Sequence, residues 1–185
     1  MSSRERIIWQ SQPFGRSRPG ARLKGWLAYS GSLTARLQAA CGGRLRVRVV
    51  YEGWQYPRFD EAAALEEWGR LAWVREIFMS CDDEPWVFAR TVMPLGSLTG
   101  SQRRLRHLGT KPLGSVLFRG SGVRRRALQF ARVTAPGAFD LRDAIDYETP
   151  LWARRSLLEA TGRPLLVSEV FLPALDFGRA YGHGG

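Results

Sequence analysis

Residues 72–93 read AWVREIFMSC, DDE, PWVFARTVM. Two apolar runs flank three consecutive acids. Ala72–Cys81 and Pro85–Met93 are therefore predicted as the arms of an antiparallel hairpin, with Asp82, Asp83 and Glu84 at its turn. Side chains alternate along a strand, which groups Trp73, Arg75, Ile77 and Met79 on one face of the first arm. On the second arm the same rule groups Trp86, Phe88, Arg90 and Val92. A third run, Leu165–Leu172, places Glu169 with Leu165, Val167 and Phe171. Three ions thus keep apolar company, and a buried charge costs several kcal/mol unless it is paired. For any one of them, an internal salt bridge is the competing account. Taken together, two arginines and one acid leave a positive charge over. That surplus predicts a pocket for a small anionic ligand, because guanidinium groups grip carboxylates bidentately.

Outward from the hairpin, Ser32 is a predicted N-cap for a helix over Leu33–Cys41, closed by Gly42–Gly43. Arg44–Trp54 reads as a strand and Asp60–Gly69 as a helix with acids in its first turn. A basic helix is expected from Thr99 or Ser101 to Leu108, then strands around Ser115–Phe118 and Ala127–Val133. An irregular excursion, Thr134–Pro150, precedes a second hairpin, Leu151–Ala160 with Leu165–Leu172, around Thr161–Pro164. Strands joined by short turns predict an α+β fold: a single domain with an antiparallel sheet. Residues 1–22 are expected to form a flexible basic arm, 23–176 the folded domain and 177–185 a tail.

The net charge of +11 raises a nucleic-acid partner as a possibility to be weighed. The arginines are scattered, however, and Arg44, Arg46 and Arg48 alternate with Leu45, Val47 and Val49, as on a half-exposed strand. No recognition helix, zinc finger or aromatic RNA-binding signature accompanies them, so a solvated face and no nucleic-acid partner is the reading. Cys41 and Cys81 make neither a disulfide framework nor a metal cluster, which fits a reducing cytoplasm. His107 and His183 have no ligand spacing, and the phosphate-cradling glycine signatures are absent, so neither metal nor cofactor is expected. The polar N-terminus is not a secretory signal, and no apolar run is long enough to span a membrane. A cytoplasmic monomer without membrane insertion is the expectation.

Several segments together resemble the bacterial chorismate pyruvate-lyase family: Trp73–Ile77, Glu84–Trp86 leading into Ala89–Pro94, Leu108–Gly114 with Leu117-Phe118, Leu151–Ser156, and Pro164–Pro173. Their order and approximate spacing hold from Trp26 to Pro173. The resemblance implies conversion of chorismate to 4-hydroxybenzoate and pyruvate for ubiquinone synthesis, without metal or organic cofactor. It implies a sheet with helices on one side and two flaps over a buried pocket. It also implies that Arg75 grips the ring carboxylate with the backbone amides of Leu33 and Leu113, and that Glu169 meets the ring hydroxyl. Arg90 is expected at the enolpyruvyl carboxylate. Thr134–Thr149 departs from the family pattern as an insertion, and Thr110-Lys111 stand in swapped order. The alternative is a non-catalytic ligand sensor of the same fold, but few residues precede Trp26 to form a DNA-binding domain.

Overall fold

The computed structural model describes residues 7–12, 18–117, 122–133, 139, 141 and 150–176. Six strands build it: β1 (Arg46–Gln55), β2 (Ala72–Cys81), β3 (Glu84–Pro94), β4 (Val123–Val133), β5 (Leu151–Ala160) and β6 (Arg163–Phe171). They form one sheet in the order β1-β2-β3-β6-β5-β4, with every neighbouring pair antiparallel. Each half of the chain thus contributes a three-stranded meander, and the two join along β3 and β6. Both predicted hairpins form. Asp82 and Asp83 (φ 47° and 70°) and Thr161 and Gly162 (φ 50° and 74°) take the left-handed conformations that two-residue hairpin turns need.

One irregularity in the first hairpin decides which side chains meet. Near the turn Cys81 pairs with Glu84 and Ser80 with Pro85, and a regular ladder would continue to Arg75 opposite Arg90. Instead the register shifts between Met79 and Ser80, so that Arg75 lies opposite Thr91 and Arg90 opposite Glu76. Pro85 has no N–H for the ladder, and a bulge is where a strand accommodates such a residue. A one-residue shift sends side chains to the other face. Arg75 and Arg90 therefore lie on opposite sides of the sheet.

Helices α1 (Ala21–Leu27) and α2 (Leu33–Ala40) cover one face, packing Leu23, Trp26, Leu27, Leu33 and Leu37 against Ile77, Val87, Ala89 and Phe171. Ser32 caps α2 as predicted, its Oγ accepting from Ala35 N at 3.3 Å. The same face carries a 3-10 segment at Gly100–Arg106 and helix α4 (Leu113–Leu117), whose Leu105, Leu113 and Leu117 meet Met93, Leu158 and Leu165. Helix α3 (Phe59–Leu65) lies on the opposite face, with Leu65 against Val74, Val92 and Leu166. A short helix, α5 (Pro173–Asp176), follows β6.

Four expectations need correction. Leu113–Leu117 is helical where a strand around Ser115–Phe118 was predicted, a short apolar run fitting either period. Residues 7–12 of the expected loose arm are docked: Gln10 bridges Phe130 at the β4 edge with two backbone hydrogen bonds, and Trp9 Nε1 donates to Asp60. Cys41 and Cys81 are joined by a disulfide, because α2 ends over the end of β2; forty residues of separation give no hint of this. Arg154 and Arg155, read as surface charge, are buried. The Thr134–Thr149 segment lies outside the described residues except for Phe139 and Leu141, which pack against Phe88 and Val170.

Candidate active site

The register places Arg75, Ala89 and Thr91, Glu169 and Val167, and Arg154 and Ser156 on the α1/α2 face, strand by strand from β2 to β5. There the sheet floors a small cleft, lined by residues of the strands and of the helix starts above them. Ile77, Met79, Ala89 and Val167 supply apolar floor, and Glu169 is the carboxylate among the lining residues. Leu33 and Leu113 form its roof. As the first residues of α2 and α4, their N–H groups have no intrahelical acceptor. The structure thus brings three of the five predicted site residues, Leu33, Leu113 and Glu169, around one cavity.

Arg75 shares this face but sits beside the cavity wall. Its Nε donates to Glu52 Oε1 at 2.8 Å, and its Nη2 to the carbonyls of Gly109 and Lys111 at 2.6 and 3.2 Å. It therefore anchors the turn that leads into Leu113, while its Nη1 makes no hydrogen bond among the described residues. Burial lowers the Arg75 pKa, and the Glu52 carboxylate offsets part of that.

Arg90 is excluded from the cavity, which corrects its predicted role at the enolpyruvyl carboxylate. On the opposite face, 2% exposed, it donates to both oxygens of Glu61 (2.7 and 3.1 Å), to Glu76 Oε1 (2.7 Å) and to Gln55 (3.2 Å). Desolvation of Arg90 is outweighed by these two carboxylates, which raise its pKa. Burial pushes the Glu61 carboxyl upward, but Arg90 and Arg58 more than reverse this and hold it below the usual carboxylate range. The surplus positive charge inferred from sequence was thus counted without Glu52, Glu61 and Glu76.

Arg154, which alternation along β5 would have revealed, is the central cation of the cavity. Fully buried at 1% exposure, it donates from Nε to Glu169 Oε2 at 2.6 Å. Its Nη1 donates to the carbonyls of Trp26, Leu27 and Tyr29 at the end of α1. It therefore fixes one Glu169 oxygen and ties α1 to the sheet. Glu169 Oε1 makes no hydrogen bond among the described residues. A carboxylate with one oxygen fixed and the other open beside apolar floor can accept a hydrogen bond or a proton from a ligand. Among the described residues no group of three His, Cys, Asp or Glu side chains could hold a metal ion.

A family model described as chorismate lyase matches residues 3–180. The chain belongs to the chorismate lyase family. Among its relatives is a protein named "Probable chorismate pyruvate-lyase" from Methylococcus capsulatus, 42% identical over 158 residues, spanning 83% of this chain and 96% of that relative. Another of that name, from Halorhodospira halophila, is 40% identical and covers 92% and 96%. The "Chorismate pyruvate-lyase" of Hamiltonella defensa is 38% identical and covers 82% and 78%. Solved structures with the same fold include a GntR-family transcriptional regulator from Bacillus cereus (TM-score 0.54, 12% identity, 70% of this chain and 92% of that one). The C-terminal domain of a histidine utilization repressor from Pseudomonas syringae is similar as well (TM-score 0.55, 12% identity, 77% and 99%). At such identities the likeness is one of fold alone.

Proposed function

We propose that this member of the family is a chorismate pyruvate-lyase. The reaction breaks the ether bond at ring C3 and removes the proton from C4, the carbon that carries the hydroxyl. The ring becomes aromatic as 4-hydroxybenzoate, and the released enolpyruvate takes up a proton to give pyruvate. No electrons change hands, so the protein has only to hold the dianion, orient the ether and manage one proton. Positioning of that kind lowers a barrier by up to roughly 7–11 kcal/mol in favourable cases.

The observation that carries this reading is the cleft itself, where Glu169 faces the Leu33 and Leu113 amides across an apolar floor. In the proposed pose the ring carboxylate lies under those amides with Arg75 behind them, and Glu169 Oε1 addresses the C4 hydroxyl. Oε1 is then also the group best set to receive the C4 proton. Relatives of 38–42% identity that carry the name support the same reaction. No helix among the described residues is long and apolar enough to cross a membrane. We propose a monomer that supplies 4-hydroxybenzoate to ubiquinone synthesis; the Cys41–Cys81 disulfide withdraws the cysteine argument for a reducing cytoplasm. Mixing the purified chain with chorismate and following absorbance of 4-hydroxybenzoate tests the proposal: stoichiometric 4-hydroxybenzoate and pyruvate support it, and unchanged chorismate overturns it.

A further inference from the structure

With Arg90 on the far face, chorismate's second carboxylate needs a new partner. Ring geometry restricts where it lies. The enolpyruvyl ether is on C3, next to the C4 hydroxyl, so in a pose that puts the hydroxyl at Glu169 the side-chain carboxylate falls among Glu169's neighbours. Two polar groups there are unsatisfied.

Arg125 lines the cavity. The β4 register shifts between Arg125 and Ala127, so Arg125 opposes Leu158 while Leu128, three residues on, opposes Ser156. Through this bulge Arg125 and Leu128 share the cavity face, and Arg126 turns outward to Glu159 at 2.6 Å. Arg125 has one hydrogen bond among the described residues, from Nη1 to the Ser30 carbonyl at 2.9 Å, and its buried Nε has no partner. Burial and the Arg154 charge lower its pKa, with Glu169 opposing in part, so its cation gains from an added anion. Ser156, on the neighbouring strand, also lines the cavity, and its buried Oγ is without a partner. Buried polar atoms in native proteins are nearly always bonded, and a pair of exceptions in one cleft points to something that binds there.

We infer that Arg125 and Ser156 form the subsite for the enolpyruvyl carboxylate of the substrate. Arg154 commits Nε to Glu169 and Nη1 to the α1 carbonyls, whereas Arg125 makes one hydrogen bond among the described residues and keeps a buried Nε unpartnered, so Arg125 is the less committed of the two cavity cations. The assignment rests on the proposed reaction and adds to it a means of telling substrate from product. The subsite is filled by chorismate and empty with 4-hydroxybenzoate.

Arg125→Gln is expected to raise the KM for chorismate about 10- to 100-fold, the range for losing one charge-assisted hydrogen bond, while 4-hydroxybenzoate affinity by calorimetry stays within about threefold. Arg125→Lys restores part of the loss. Ser156→Ala, whose Oγ supports nothing in the protein, weakens chorismate alone and leaves the melting temperature unchanged. Equal losses for both ligands, or none in either variant, overturn the subsite. If Arg125→Gln unfolds, the Ser156→Ala result decides by itself. Failure of the wild-type chain to turn over chorismate is a different outcome, since it removes the reaction itself.

Discussion

Glu169 and Arg154 meet at 2.6 Å on adjacent strands, and this pair governs what a single substitution at the site does. Glu169→Gln keeps the side chain's size and one acceptor oxygen but cannot take a proton. Single-turnover conversion of chorismate is expected to fall at least about 100-fold, with 4-hydroxybenzoate binding largely kept. Rapid-quench measurement is needed, since slow product release hides a chemical defect in steady state. A rate within a few-fold of wild type would assign Glu169 to the hydroxyl alone. Alternation along single strands was enough to find Glu169 and Arg75 as ions on apolar faces; the ladder registers put the two on one side of the sheet. It could not place Arg90, because the face of one strand says nothing about its neighbour until the register is known. The bulge beside Pro85 sets that register. Nor could it supply Glu52, on a half-exposed strand, or Glu61, on a helix, as partners for buried arginines.

At the scale of elements, helix starts bound the cavity from above. Leu33 is the first residue of α2, a position where proline is tolerated because its missing N–H has no helical acceptor. Ser32 before it is extended (φ −68°, ψ 108°), as a residue preceding proline must be. Leu33→Pro should therefore keep α2 and remove one donor to the ring carboxylate, whereas Leu33→Ala trims the side chain and keeps the donor. A 4-hydroxybenzoate Kd at least about fivefold weaker in the proline variant than in the alanine one is expected, as for one hydrogen bond to a charged group. Parity between the two would remove the Leu33 amide from the site. Both hairpins and the caps of α2 were legible because turn residues and periodicity agree locally. Leu113–Leu117 was not, since five residues are too few to separate the periods of helix and strand.

The whole molecule divides its ions by sheet face. On the cavity face charges remain open to a ligand; on the other, Arg90 and Arg155 bind the first turn of α3 through Glu61 and Asp60. That second set has a pH signature. The Glu61 carboxyl sits below its ordinary value of 4.5 in the folded state, so its contribution is complete above about pH 4.5 and is lost as pH falls from there through the folded pKa. Wild type should lose stability steeply on acidification below that point. Glu61→Gln, destabilised by about 3 kcal/mol at neutral pH, should show a flatter profile in urea titrations over the same window. Equal slopes would mean that Glu61 does not carry the acid sensitivity.

The Cys41–Cys81 bond has a mechanical consequence for the turnover cycle. It rivets the C-terminal end of α2 to the end of β2, while Leu33 at the other end overhangs the cleft. With one end pinned, α2 can let a molecule escape only by swinging, and a lever about 12 Å long (eight residues at 1.5 Å) has a short stroke. Cutting the rivet with a reductant frees both ends. Dissociation of 4-hydroxybenzoate, followed by stopped flow, should speed up in dithiothreitol, and a Cys41→Ser variant should match the reduced protein with or without it. Were departure indifferent to the bond, the exit would have to open at the α4 end, and the thiol balance of the surroundings would leave the enzyme's pace unaltered.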